Sequence, residues 1–308
     1  MLALLTIAAI LVLLLMGGAI AWETRHPARR TLAWALVHQL PADPGEMGLS
    51  FEEWCFDCPD GLRLPVWDIA LSGASTPRDD APSRPTLVLL HGWGRSRIDS
   101  LGRLAAILDA VPGHFERALL PDLRGHGEAA RSTSRLGDGE ERDLLSLMQR
   151  LGDTPVVLAG HSLGATIAIR AAALQPRDDV ASPAVAPATP RVQQVIAWAP
   201  YEEVATPIVN RLRAAGAATR PFTDSALLLL RLSGVRRVRT SEGARQLAMP
   251  LLVVAGREDR VSPLAECEAI AAAAPQGRCV VLPGGHPDMH RVDAAAHAAA
   301  LRTFLGPG

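Results

Sequence analysis

The 308-residue chain contains no lysine: all 31 of its basic side chains are arginine. That absence excludes Schiff-base chemistry and a Walker-type phosphate loop, both of which need an amine. An excess of either charge is also missing. The 31 arginines meet 32 acidic residues, for a formal net charge of −1, whereas a nucleic-acid binder needs a positive excess to displace counterions. Aromatic residues are only 4% of the chain and cysteines number four. Cys55 and Cys58 have C-x-x-C spacing, but no second pair follows at zinc-ribbon spacing. They lie between two expected strands and read as two half-buried thiols, with a disulfide open to them only on export. His286-x-Asp288-x-His290 offers ligand types without three or four converging donors, so no metal and no cofactor is expected.

What the chain does have is apolar residues, 48% of the total and unevenly spread. Residues 2–21 are apolar throughout except Thr6. About 20 residues at 1.5 Å rise span roughly 30 Å, the thickness of a bilayer's hydrocarbon core. Trp22 follows, where an indole sits at headgroup level. The expectation is a single-pass transmembrane anchor over 1–22, then a juxtamembrane segment and linker over 23–47. A cleaved signal is the alternative, because Ala19-Ile20-Ala21 resembles a small-x-small site. Against it, no basic residue precedes the run, and the run exceeds a usual signal core. Arg25, Arg29 and Arg30 follow the span, and the positive-inside rule then places the C-terminal domain in the cytoplasm. Export would follow from cleavage. Residues 28–40 form a second amphipathic stretch that either lies on the membrane surface or packs on the domain. Pro41, Pro44 and Gly45 end it.

From residue 48 to the C-terminus the pattern alternates, as in a single α/β domain. Strands are expected at 49–56, 62–71, 86–90, 115–120, 156–158, 192–198, 251–254 and 279–282. Helices are expected at 100–110, 139–151, 162–174, 263–274 and 288–305. The first two strands join through Pro59-Asp60-Gly61, a tight antiparallel turn. The later ones alternate with helices, which implies a mainly parallel sheet. Residues 175–190 read as a surface loop, and 201–248 as a small helical lid over the sheet's C-terminal edge.

The stretch that carries chemistry is Gly160-His161-Ser162-Leu163-Gly164. It is G-x-S-x-G with a β-rich run before it and a helix-forming run after it. A strand turning that sharply into a helix holds the serine at the apex, and glycines keep side chains out of the crowded turn. A serine hydroxyl needs a base. His286 follows the last strand in a glycine-rich loop and is the expected base; His290, one turn on, is the alternate. His297 lies in an Ala-rich helix and reads as a helix-surface residue. The imidazole needs a carboxylate partner. Asp259, just past the strand at 251–254, fills that place, with Glu258 as the neighbour that can substitute. Its plainer role is to start the next helix. Oxyanion donors are expected from the backbone N–H of Leu163 and of Trp93, whose indole would also line an acyl pocket.

Five segments now stand in order: His91-Gly92-Trp93-Gly94, Pro121 through Gly127, Gly160 through Gly164, the stretch around Asp259, and Gly284-Gly285-His286-Pro287. With them the chain resembles the α/β-hydrolase superfamily, in its branch of esterases and lysophospholipase-like or aminopeptidase-like serine hydrolases. The resemblance covers about residues 50 to 305. It implies an α/β-hydrolase fold with an eight-stranded, mostly parallel sheet and helices on both faces. It also implies that Asp122, Arg124 and His126 shape a loop beside the site. Ala129 and Ala165 depart from the family's more frequent Ser and Gly, away from the reacting groups. The expected function is hydrolysis of a small-molecule acyl ester through Ser162, His286 and Asp259. Two other readings stay open: a silent binding protein on the same fold, and acyl transfer or perhydrolysis by the same triad.

Overall fold

The computed structural model describes residues 1–71, 84–175, 191–216 and 220–306. The loop expected at 175–190 falls, but for Gln175, outside the described residues. The strands are β1 (Phe51–Asp57), β2 (Arg63–Ala70), β3 (Thr86–Leu90), β4 (Arg117–Pro121), β5 (Val156–His161), β6 (Val192–Trp198), β7 (Leu251–Gly256) and β8 (Gly277–Leu282). They form one eight-stranded sheet in the order β1-β2-β4-β3-β5-β6-β7-β8. β1 and β2 are an antiparallel hairpin, closed by Cys58 N–H donating to the Leu62 carbonyl at 2.8 Å. β2 is also antiparallel to β4, and the remaining pairs are parallel.

Eleven α-helices accompany the sheet among the described residues: α1 (Leu2–Arg25), α2 (Leu32–Val37), α3 (Arg97–Ala110), α4 (Glu140–Gln149), α5 (Leu163–Ala173), α6 (Ala205–Ala214), α7 (Phe222–Leu232), α8 (Thr240–Ala244), α9 (Leu264–Ala273), α10 (Met289–Val292) and α11 (Ala294–Leu305). Strand periodicity sorts the core into two layers. Leu87 and Leu89 of β3 face α3 and α11, whereas Val88 and Leu90 face α4, α5, α8 and α9. On β7, Leu252 and Val254 go one way, Leu251, Val253 and Ala255 the other. Both faces of the central strands are buried, which is why they read as unbroken apolar runs.

The topology also creates the crevice. From β3 the chain crosses by α3 to β4 on one side, then by α4 to β5 on the other. The loops after β3 and β5 therefore diverge to opposite faces, and ligands bind at such a switch point.

Several elements differ from expectation. The helix expected at 288–305 is two, broken at Asp293 (φ −130°, ψ 77°), whose side chain accepts from Ala296 N–H and caps α11. Within 28–40 only α2 is helical, and it packs on the domain: Ala35 is fully buried in the layer under α3. Of the expected lid, α6 and α7 stand above the sheet edge, while α8 packs between α5 and α9 as part of the face layer.

Helix α1 runs past Ala21 to Arg25 and is long and apolar enough to span a membrane, with a mean hydropathy of 2.7 over its window. Its second half docks on α7. Ser225 Oγ donates to the Leu13 carbonyl at 3.0 Å, and a Cβ on Gly17 would stand 2.0 Å from that oxygen. The arginines after it are also engaged. Arg25 donates to Thr133 Oγ1 (2.8 Å), Arg29 to the Gly127 and Ala129 carbonyls, and Arg30 pairs with Asp99 at 2.6 Å.

Candidate active site

Ser162 stands between β5 and α5 with φ 55° and ψ −114°, a conformation that costs a β-carbon-bearing residue about 1–3 kcal/mol. Two contacts hold it: its N–H donates to the Trp198 carbonyl at 2.8 Å, and its carbonyl accepts from Thr166 N–H at 3.1 Å. The flanking glycines are required. A Cβ at Gly160 would lie 2.3 Å from the Gly164 carbonyl oxygen, and one at Gly164 would lie 2.5 Å from that of His91.

The fold brings Ser162, His286 and Asp259 together across 124 and 27 residues of sequence. Ser162 Oγ and His286 Nε2 are 2.9 Å apart; His286 Nδ1 and Asp259 Oδ2 are 2.8 Å apart. The other carboxylate oxygen of Asp259 accepts from the N–H groups of Val261 and Ser262, at 2.7 and 2.9 Å. Asp259 thus orders the approach to α9 and holds the imidazole at once. An ionised Asp259 favours Nδ1–H on His286, which leaves Nε2 free to accept the hydroxyl proton. Burial pulls the His286 pKa below the usual value of 6.5, against the opposing pull of Asp259. The ring is neutral at pH 7 and competent to take a proton.

Glu258 does not reach His286; its carboxylate accepts from Gly284 N–H. His290 is buried among α3 and α11 residues, with a ring 6.1 Å from His297 and a pKa pushed down to about 3 by burial. It is not at the serine. His297, expected on a helix surface, is instead 1% exposed, because its Nε2 accepts from the buried Trp198 indole at 2.9 Å. A polar partner on a β6 tryptophan is invisible to helical periodicity. Cys58 is buried and Cys55 half-buried, both as free thiols, and burial with the neighbouring Asp143 raises the Cys58 pKa to about 12.

Leu163 is the first residue of α5, so its N–H is one of the first-turn donors that no helical carbonyl can reach. Opposite it runs the loop after β3. A Cβ on Gly92 would stand 3.4 Å from Ser162 Cβ, so this loop abuts the serine, and Gly92, Trp93 and Ser162 line one cavity. Trp93 lines the apolar side of the site, where its indole donates to the Thr24 carbonyl at 2.8 Å with the Arg211 guanidinium 4.7 Å over its ring. His91 is locked behind the loop, with Nε2 accepting from Leu123 N–H at 3.0 Å. His161 Nε2 donates to the His286 carbonyl at 2.8 Å and so fixes the loop that carries His286. The loop implied by resemblance is built as expected of a scaffold: Asp122 accepts from the Arg97 and Glu128 N–H groups, and Arg124 is clamped between Asp60 and Asp143.

A cavity of about 320 Å³ opens from Ser162, walled mainly by apolar groups of Ile20, Trp93, Leu136, Tyr201, Ile208 and Leu212. Two of these contributors had no signal in the sequence. Ile20 belongs to α1, whose docking is not encoded in any local pattern. Leu136 adopts φ 60° in a loop whose N–H groups at Arg135 and Gly137 donate to the buried Glu140 carboxylate. A second cavity of about 300 Å³ also reaches Ser162; it is polar and includes Arg30, Arg95, Arg211 and His286, with Glu23 as its carboxylate among the described residues.

The chain matches the α/β-hydrolase family over residues 87–300. It is 29% identical over 252 residues to the pimeloyl-[acyl-carrier protein] methyl ester esterase of Xanthomonas campestris pv. campestris, covering 72% of this chain and 95% of that one. It is 35% identical over 144 residues to the magnesium-chelatase 30 kDa subunit of Rhodobacter capsulatus. That match spans only 45% of this chain and 44% of the relative. Among solved structures, an esterase of Pyrococcus furiosus superposes with a TM-score of 0.66 at 16% identity, over 92% of this chain and 99% of that chain. Sheet order, strand-turn-helix serine and family match agree: the chain belongs to the α/β-hydrolase family.

Proposed function

We propose that the protein is a membrane-anchored serine hydrolase that cleaves carboxylic esters with an apolar acyl chain. The observation that carries this reading is the hydrogen-bonded series Ser162, His286, Asp259 at the mouth of an apolar cavity. Ser162 Oγ attacks the ester carbonyl carbon while its proton passes to His286 Nε2. The carbonyl oxygen gains negative charge opposite the Leu163 and Trp93 N–H groups, and losing one such donor costs about 3 kcal/mol of transition-state stabilisation. The alcohol leaves with the proton from Nε2. Water then gives a proton to Nε2 and adds to the acyl-enzyme, releasing the acid and restoring Ser162. The Xanthomonas relative is by name an ester hydrolase, which supports an ester over an amide. In the same reading α1 stays in the bilayer and Arg25, Arg29 and Arg30 keep the domain on the cytoplasmic side.

The test is a series of p-nitrophenyl esters of rising chain length. Ile208→Trp, which fills the cavity wall from α6, is expected to lower kcat/KM for the octanoate about tenfold relative to the acetate. An unchanged preference would show that the acyl chain lies elsewhere. A second outcome follows from His286. Because burial lowers its pKa, the acid limb of kcat/KM against pH should have its midpoint below 6.5. A midpoint above 6.5 would contradict the buried, neutral base.

A further inference from the structure

A third cavity, of about 420 Å³, lies beyond the polar one and shares Arg30, Gly92, Arg95 and His161 with it. Four guanidiniums line it, those of Arg30, Arg95, Arg103 and Arg291, against one carboxylate, Asp99, among the described residues. Asp99 is already shared: it accepts from Arg30 (2.6 Å), from Arg95 (3.0 Å) and from Ser96 N–H (3.0 Å). Arg103 feels Asp99 only at a distance, and no carboxylate hydrogen-bonds it among the described residues. Its side chain is 93% buried by accessible surface, a 7% exposure. One NH group donates to the Pro287 carbonyl at 3.3 Å, and its Nε has no partner among the described residues. Taking a guanidinium out of water without a counter-charge is costly, and a protein keeps such a group where an anion will complete it. His161 and His290, which also line the cavity, are neutral because burial holds both below their usual pKa, so they add no repulsion to a bound anion's partners. Burial likewise lowers Arg103 to about 9, a shift that a bound anion would reverse.

We propose that this cavity binds a phosphate group carried on the alcohol half of the ester, so that the substrate is an apolar acyl ester of a phosphorylated alcohol. This rests on the esterase reading and deepens it. The acyl chain occupies the apolar cavity on one side of Ser162. The alcohol oxygen lies at His286 Nε2, and the phosphate reaches through the polar cavity to Arg103, Arg95 and Arg291. Hydrolysis then yields a fatty acid and a phosphorylated alcohol, the proton on the alcohol oxygen coming from His286. Both a lysophospholipid in the membrane and a soluble acylated sugar or glycerol phosphate carry this chemistry.

The full chain in detergent micelles distinguishes these. Hydrolysis of a 1-acyl-glycerol 3-phosphate is compared with that of the matching monoacylglycerol, which lacks the phosphate. The phosphorylated ester is expected to have a KM about tenfold lower. Arg291→Glu, on the exposed rim, should bring the two KM values to within about threefold of each other. Arg278→Glu on edge strand β8 makes the same change in net charge away from the cavity and should leave the difference in place. Equal KM values in the parent protein, or equal effects of the two variants, would overturn the proposal while leaving the esterase reading intact. Binding supplies a readout independent of turnover. In Ser162→Ala, calorimetry with sn-glycerol 3-phosphate should give heat where glycerol gives none, and Arg291→Glu should weaken it. No heat with the phosphate overturns the pocket; heat without any ester cleavage by the parent protein overturns the esterase reading alone. A short-chain acyl glycerol phosphate below its micelle concentration separates the sources: cleavage as fast as that of the long-chain lipid points to a soluble substrate.

Discussion

Ser162→Ala is expected to lower kcat for p-nitrophenyl butyrate by about a million-fold, the scale on which nucleophile removal acts in a serine hydrolase. The fold should survive, because the strain at residue 162 comes from its backbone, held by the Trp198 carbonyl and Thr166 N–H, and not from its hydroxyl. An alanine at φ 55° keeps the same cost. Circular dichroism and melting temperature should therefore match the parent, and covalent labelling by a fluorophosphonate should vanish. Retained turnover in a folded Ser162→Ala protein would remove the serine from the mechanism. Residual labelling would point to another nucleophile in the same cavity.

Asp259→Asn comes second in size. It keeps the shape and one acceptor oxygen, so the Val261 and Ser262 N–H groups remain served. What changes is the proton on His286. An amide opposite Nδ1 no longer fixes that nitrogen as a donor, and the ring can turn its lone pair away from Ser162. A loss of about 10⁴ in kcat is expected, with little change in KM. Removing the carboxylate also removes the influence that holds the His286 pKa up against burial, so what activity remains should extend to lower pH than in the parent. A loss of only a few-fold would mean that another group orients the imidazole.

The three residues that meet at Ser162 were legible because they sit where a strand ends and glycine is enforced. Gly160 and Gly164 are sterically required, and His286 and Asp259 each follow an apolar strand, so a linear pattern could place all of them. The sheet was legible for a related reason: burial on both faces writes continuous apolar runs. Element ends were less so. The break at Asp293 depends on a side chain capping the helix behind it, which a period of 3.6 does not record. The cavity walls were legible only in part: Trp93 and the lid segment were expected there and do line it, but the rest was not. Ile20, Leu136 and Arg103 come from three distant segments, and each acquires its role only when tertiary packing brings it to the serine or to the neighbouring void. His297 shows the same limit from the opposite side: an Ala-rich helix gave no sign that one of its residues would be buried under a tryptophan.

The docking of α1 on α7 sets a depth. The first hydrogen bond between α1 and α7 falls at Leu13, and residues 2–12 before it are exposed. Eleven residues of helix measure about 17 Å, roughly half of a hydrocarbon core. If α1 crosses a bilayer as docked, the free part spans one leaflet, and α7 rides inside the other. Leu228 and Leu232 are more than half exposed on that helix, and they share its open face with Asp224 and Arg231, a mixed surface suited to the headgroup boundary. On that condition the domain would sit low, with its waterline along α7, and the cavity at Ser162, which Ile20 of α1 helps to wall, would lie close to the lipid surface.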